Sequence, residues 1–144
     1  MSLDKQFHDA ILRRSFDAFV HRAVMTLNPG IRYLPNWHHS AIAYKLEQVR
    51  RGNVRRLVIN IPPRHLKSQV ISVAFPAYLL GLEPWHRILC VSYGNELSSK
   101  HHNDFRSIVA AAWYRRAFPD MRVHRSSEEE VVTTEAGFRR ATSV

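Results

Sequence analysis

The chain has 144 residues, 45% of them hydrophobic and 10% aromatic, which is typical of one folded domain and excludes a disordered chain. Its formal net charge of +9 is common among proteins that contact phosphate, although a solvated basic surface also explains it. No apolar run reaches the roughly 18 residues of a membrane span, and the charged N-terminus is unlike a signal peptide. The single cysteine, Cys90, cannot form an internal disulfide and favours a reducing cytoplasm.

Two helices are predicted in the first third of the chain. Apolar side chains recur every three to five residues over residues 3–27, and Asn28-Pro29-Gly30 ends this pattern. A second helix is predicted over residues 38–51, with Asn36 as its N-cap and Gly52 at its end.

Strands and helices then alternate. Residues 55–61 (RRLVINI) form a short β-branched run, which predicts a strand buried on both faces. An apolar helix is predicted over residues 68–80 and ended by Gly81, a second strand over residues 86–93, and another helix over residues 95–112. This order predicts a parallel α/β sheet.

The end of the sequence is different. Residues 130–134 and 138–143 are two strand-like runs joined by a loop that contains Gly137, which predicts a hairpin. The last strand runs to Val144, and this suggests a fragment.

The segment PPRHLKS, residues 62–68, connects the first predicted strand to its helix. In a phosphate-binding loop, backbone N–H groups and a helix N-terminus face the phosphates, a lysine reaches the β and γ phosphates, and a Ser or Thr hydroxyl binds Mg²⁺. Lys67 and Ser68 fit this arrangement. Ile61 and Leu66 replace the two glycines of the common pattern, and a left-handed Leu66 would cost roughly 1–2 kcal/mol. The residues alone leave two interpretations open, a phosphate-binding loop and a Pro-Pro turn before a surface lysine.

The stretch RLVINIPPRHLKSQVISVAFPAYLLG resembles the nucleotide-binding region of large terminase subunits, the ATP-driven motors that package DNA into tailed-phage heads. The resemblance continues through RILCVSYGNELSSKHHNDFRSIV, WYRRAFPD and TTEAGFRRATSV, and spans roughly residues 35–144 in order. It implies an incomplete P-loop ATPase domain over residues 35–144, preceded by a helical segment over residues 1–34. The expected fold is therefore α/β, a partial P-loop NTPase-type parallel sheet flanked by helices and followed by a C-terminal β-hairpin.

The resemblance also implies roles for the loop residues. Lys67 would bind the β and γ phosphates of ATP, Ser68 would coordinate Mg²⁺, and Arg64 would act catalytically by stabilising the transferred phosphate from within the same subunit. The implied nucleotide-binding set is Pro63, Arg64, His65, Leu66, Lys67, Ser68 and Gln69. The resemblance further implies double-stranded DNA, a small terminase subunit and a portal protein as partners, and a prophage-encoded protein in the bacterial cytoplasm.

Hydrolysis by such an ATPase also needs an acidic pair at the end of an apolar strand. Glu96 lies within a predicted helix, and the acids of EEEVVTTE stand in the wrong order for this role. In terminases the acidic strand follows the region that resembles FRRATSV, and a nuclease domain comes later still. The chain is therefore predicted to be an N-terminal fragment that binds ATP but hydrolyses it slowly or not at all by itself.

Two other functions remain open. The first is a small basic nucleic-acid-binding or adaptor protein on a degenerate P-loop scaffold. The second is a small nucleotide kinase, although this sequence has no recognisable lid or acceptor motif. Trp37 and Tyr93 are candidates to contact the nucleotide. Six arginines are candidates to contact DNA phosphates, namely Arg115, Arg116, Arg122, Arg125, Arg139 and Arg140.

Overall fold

A computed structural model describes residues 2–64 and 66–144, and this part of the chain has an α/β fold. Its helices are α1 (Leu3–Arg14), α2 (Phe16–Leu27), α3 (Trp37–Arg50), α4 (Phe75–Leu82), α5 (Asn95–Ala110) and α6 (Ala112–Ala117). A π-helical segment, Gln69–Ala74, leads directly into α4. The strands are β1 (Arg87–Ser92), β2 (Val123–Ser126), β3 (Glu130–Thr133) and β4 (Phe138–Ser143).

The N-terminal segment forms two helices, so the prediction of a single helix over residues 3–27 was wrong. Ser15 interrupts it with an extended backbone (φ −127°, ψ 110°), and its hydroxyl accepts a hydrogen bond of 3.2 Å from the N–H of Ala18. Serine is a favoured N-cap because it satisfies an otherwise unpaired amide of the first helical turn. The break lets both Phe16 and Phe19 enter the core.

Helix α3 and its predicted cap are confirmed. The Asn36 side chain accepts a hydrogen bond of 2.8 Å from the N–H of Trp37, and the backbone N–H of Asn36 donates to Nδ1 of His39 at 3.3 Å. This reciprocal arrangement starts the helix at Trp37, one residue before the predicted start.

The four strands form one mixed sheet in the order β1-β4-β3-β2. Strands β3 and β4 make the predicted antiparallel hairpin, and β2, which was not predicted, pairs antiparallel with β3. Strand β1 pairs in parallel with β4, with Arg87 opposite Phe138 and Ser92 opposite Ser143. The sheet is therefore mixed rather than parallel, although the α/β class is confirmed.

The strand predicted over residues 55–61 is wrong, since these residues belong to no strand of the sheet. Among the described residues, none of their backbone groups takes part in a backbone hydrogen bond. Leu57, Ile59 and Ile61 are half-buried and alternate with exposed Val58 and Asn60, the two-residue period of an extended chain. The β-branched residues therefore favour an extended backbone, but an extended backbone becomes a strand only where another strand lies beside it.

Two predicted helix ends differ from those of the structure. Gly81 was expected to end its helix, yet it lies inside α4, where a Cβ atom would stand 2.7 Å from Cδ1 of Phe118. The glycine therefore permits close packing rather than a turn. The helix predicted over residues 95–112 divides at Ala111, whose ψ of 139° separates α5 from α6.

An aromatic cluster forms the centre of the core. Phe19 of α2 lies between Tyr78 of α4 and Tyr114 and Phe118 near α6, with ring centroids 5.3 to 6.2 Å apart. The Tyr114 hydroxyl is buried and donates a hydrogen bond of 2.6 Å to the carbonyl of Ala77. The N-terminal helices thus share a core with the helix that follows the PPRHLKS loop.

Candidate functional site

The loop before the π-helical segment has an unusual backbone conformation. Pro62, Pro63 and Arg64 are exposed, and both Arg64 (φ 68°) and Leu66 (φ 59°) have left-handed backbones. Such a φ is strained for a residue with a Cβ atom, and strain of this kind concentrates at functional sites. The position at which the sequence lacks the usual glycine therefore takes the geometry that glycine favours. His65, also in the predicted nucleotide-binding set, lies outside the described residues.

Leu66 caps the helix that follows the loop. Its carbonyl accepts a hydrogen bond of 3.0 Å from the N–H of Val70, and Lys67 and Ser68 form the first helical residues. Among the described residues no backbone acceptor pairs with the N–H groups of Lys67, Ser68 and Gln69. A left-handed residue followed by a right-handed one directs successive N–H groups into one concavity, which is an anion-binding arrangement.

Lys67 and Ser68 follow Leu66 directly at the start of the helix. Both are half-buried, and within the described chain neither makes an ion pair or a side-chain hydrogen bond. The Lys67 ammonium is therefore not neutralised by a carboxylate in residues 2–64 or 66–144. A positive charge beside backbone N–H groups at a helix N-terminus favours an anionic ligand with several oxygen atoms.

Gln69 is held by a residue that the sequence analysis missed. The side-chain amide of Asn28 donates 3.1 Å to Oε1 of Gln69 and 2.8 Å to the carbonyl of Val24 at the end of α2. Asn28 was recognised only as part of the Asn-Pro-Gly stop signal, because a contact across 41 residues has no local pattern. The side-chain oxygen of Gln69 therefore holds the loop against the end of α2. The side-chain NH₂ group of Gln69 is the part able to contact a ligand.

Arg139 anchors the π-helical segment to the sheet behind the loop. It is fully buried (0% exposed), and its Nη2 donates 2.8 Å to the carbonyl of Ser72 while Nη1 lies 2.8 Å from Nδ1 of His102. Its guanidinium also lies 5.0 Å from the ring centroid of Phe105. Burial lowers the pKa of Arg139 and of His102. Because Nδ1 of His102 accepts from Arg139, its Nε2 carries the proton and donates 3.1 Å to the carbonyl of Ser127.

The structure corrects one prediction about DNA contacts. Arg139 cannot reach a phosphate because it is buried. Three others of the six candidate arginines form ion pairs: Arg116 with Asp9 at 2.7 Å, and Arg125 and Arg140 with Glu130 at 2.8 and 2.7 Å. Arg115 and Arg122 are the two members of the set without an ion pair in the described chain.

The two aromatic candidates both lie at the ends of elements. Trp37 is the first residue of α3 and is 79% exposed, and Tyr93 directly follows β1 and is 93% exposed. Exposed aromatic faces can stack on a base. Their contact with a nucleotide stays a prediction.

The Ser68 hydroxyl suits Mg²⁺ as a single protein ligand. The ion takes oxygen ligands and keeps several waters, so its other ligands come from water and from substrate phosphates. Within residues 2–64 and 66–144 there is no cluster of three or more His, Cys, Asp or Glu side chains that could hold a metal ion.

Comparison with protein-family models, curated proteins and solved structures finds no significant match to this chain. The functional assignment therefore depends on the geometry of the site and on the motif itself. None of the helices in the described part of the chain has the length and apolar character needed to cross a bilayer.

Proposed function

We propose that this chain is a nucleotide-binding unit of the large-terminase type that holds ATP phosphates through residues 62–69. The observation that supports it most is the left-handed backbone of Leu66 directly before Lys67 and Ser68, at the N-terminus of a helix. A Pro-Pro turn before a surface lysine has no need of a strained leucine or of a lysine without an ion pair in the described chain.

Each loop residue has a distinct part in this proposal. The N–H groups of Lys67, Ser68 and Gln69 bind phosphate oxygens, and the Lys67 ammonium neutralises charge on the β and γ phosphates. The Ser68 hydroxyl would be a ligand of Mg²⁺, an ion that would neutralise charge on the phosphates. Arg64 is exposed at the loop, where its planar guanidinium can form paired hydrogen bonds to the terminal phosphate.

The proposal separates binding from hydrolysis. An in-line attack on the γ phosphate needs a carboxylate that positions the water, together with an acidic ligand of Mg²⁺. In the sequence of 144 residues no apolar strand ends in such a pair. We therefore expect ATP binding without efficient turnover by this chain alone, and DNA as the substrate of the complete motor.

The test is equilibrium binding of a fluorescent ATP analogue with and without Mg²⁺, for the wild-type chain, Lys67→Ala and Lys45→Ala. Lys45 is an exposed lysine on α3, so its loss removes the same charge away from the loop. We expect binding that strengthens with Mg²⁺, falls at least about tenfold in Lys67→Ala, and is unchanged in Lys45→Ala, since a charge-assisted contact contributes roughly 1.5–3 kcal/mol.

Equal binding by all three proteins would show that the nucleotide associates with the general basic surface, and would overturn the proposal. A folded chain that binds no nucleotide would do so as well. It would favour the nucleic-acid-binding alternative, which is supported by exposed arginines that have no ion pair among the described residues, such as Arg32 and Arg56. DNA affinity that falls steeply with salt would then identify that function.

A further inference from the structure

A groove lies beside α5, away from the PPRHLKS loop in the sequence. It has a volume of about 820 Å³ and lies between α5, α6, the segment that follows α6, and strands β2 and β3. The described lining is Asn103, Arg106, Ser107, Val109, Ala110, Arg115, Pro119, Met121, Arg122, Val123, Ser126 and Val131. This volume lies within the range of roughly 300–1,000 Å³ that is typical of sites for small organic ligands.

The base of this groove is apolar. Val109, Met121 and Val131 are buried side chains that contribute to its walls, and Val123 of β2 is 43% exposed beside them. A ligand that covers the exposed apolar surface of Val123 is stabilised by about 25 cal/mol for each Å² removed from water.

The rim of the groove carries three positive charges. Arg106, Arg115 and Arg122 belong to its lining, and no lining residue has a carboxylate. The Nε of Arg106 donates 3.1 Å to Oγ of Ser126, which directs the guanidinium from α5 towards β2. Arg115 and Arg122 make no ion pair or side-chain hydrogen bond in the described chain. Like charges near one cavity repel each other, and an anion removes that repulsion.

We infer that this groove binds a small amphipathic organic anion, with its apolar body against the exposed side chain of Val123 and its acidic head between Arg115 and Arg122. Guanidinium groups pair with carboxylate, sulfonate or phosphate through paired hydrogen bonds. Duplex DNA suits the groove less well, because phosphate contacts make no use of a recessed apolar floor. The site is separate from the ATP site proposed above and does not depend on it.

The probe is anilinonaphthalene sulfonate, whose fluorescence rises in apolar surroundings, with neutral phenylnaphthylamine as a similar body that lacks the charged head. Two variants address the two halves of the site. Arg115→Gln/Arg122→Gln removes the head contacts, and Ala110→Trp places a large ring at an exposed lining position. The matched control is Arg14→Gln/Arg32→Gln, which removes the same charge from exposed arginines elsewhere.

We expect the sulfonate dye to bind at one saturable site. Its dissociation constant should rise about tenfold or more in the double arginine variant, because a charge-assisted pair is lost. Ala110→Trp is expected to block the sulfonate dye and the neutral dye alike, whereas the arginine variant should affect only the sulfonate. Decanoate should compete with the sulfonate dye, which would extend the site to carboxylates.

Sulfonate binding that is equal in the wild type, the double arginine variant and the control would place the dye elsewhere and overturn the inference. Displacement by short duplex DNA but not by decanoate would overturn it too, and would assign Arg115 and Arg122 to phosphate contacts. Circular dichroism of each variant establishes that a loss of binding is not a loss of folding.

Discussion

Leu66 is the residue on which the phosphate-loop interpretation depends most directly. A left-handed backbone costs a residue with a Cβ atom roughly 1–2 kcal/mol, and glycine adopts it freely. Leu66 nevertheless packs its side chain against the core, and this contact helps to hold the strained backbone in place. The strain and the packing therefore oppose each other at this position.

We predict that Leu66→Gly changes the free energy of unfolding by less than about 1 kcal/mol, because relief of strain offsets lost packing. Leu82→Gly is the control. Leu82 is also half-buried, but it ends a helix where no positive φ is present, so its loss should cost about 2 kcal/mol or more. Urea unfolding of both variants measures the difference. Equal losses would mean that Leu66 is not strained in solution.

At the scale of elements, the β3–β4 hairpin is fixed to the turn before β1 through Thr133 and Gly137. The Thr133 hydroxyl donates 2.6 Å to the carbonyl of Pro84 and accepts 3.1 Å from the N–H of Gly137. A Cβ atom on Gly137 would lie 2.7 Å from the carbonyl oxygen of His86, and closer still to that of Pro84. Both neighbours are backbone atoms and cannot rotate away.

Gly137→Ala is therefore predicted to destabilise the protein by about 2–4 kcal/mol, since the hairpin must move away from the turn. Gly94→Ala provides the matched control, because nothing lies within 4 Å of a Cβ atom there. Thermal unfolding should show a large fall in Tm for the first variant and little change for the second. A Gly137→Ala protein as stable as wild type would contradict the close docking of the hairpin.

The elements differ in how far the sequence determines them. Helix α3 and the β3–β4 hairpin were predictable because Asn36 and Gly137 are local signals that act within a few residues. The extended stretch around Val58, which is 83% exposed, was predicted as a paired strand because of its β-branched residues. Such residues favour an extended backbone, but they do not show whether another strand pairs with it. The candidate site divides in the same way: Lys67 and Ser68 follow from a motif, whereas the Asn28–Gln69 contact is non-local.

At the scale of the whole molecule, Arg139 connects three parts of the fold. From β4 it reaches the π-helical segment at Ser72 and helix α5 at His102, and it lies over Phe105. This arrangement requires a neutral His102, because Nδ1 must accept the hydrogen bond from Arg139. Burial, which is the largest cause, and the nearby positive charge together hold the pKa of His102 below its usual value of 6.5.

The sign of the pH dependence follows from this pKa. Since the pKa of His102 is lower in the folded state than in the unfolded state, acid favours unfolding. The stabilisation from neutral His102 is fully present above about pH 6.5 and is lost as the pH falls through the folded-state pKa. We predict a Tm that falls between neutral pH and about pH 5.

His102→Gln should flatten this dependence, even if it lowers the Tm at every pH. His124→Gln, at an exposed position on β2, should leave its steepness unchanged. Part of the slope should remain in His102→Gln, because burial also lowers the pKa of His101. An identical slope in His102→Gln and wild type would remove His102 as its cause.

The π-helical segment gives the fold control over the direction in which the loop points. In this segment the N–H of Phe75 bonds to the carbonyl of Val70, so the turn contains one residue more than an α-helical turn. One residue of α-helix corresponds to a rotation of about 100° and a rise of about 1.5 Å. The wide turn therefore sets the rotation of Lys67 and Ser68 about the helix axis, relative to the side of α4 that faces the core. The number of residues in this one turn decides which way the loop faces when the core-facing side of α4 is fixed.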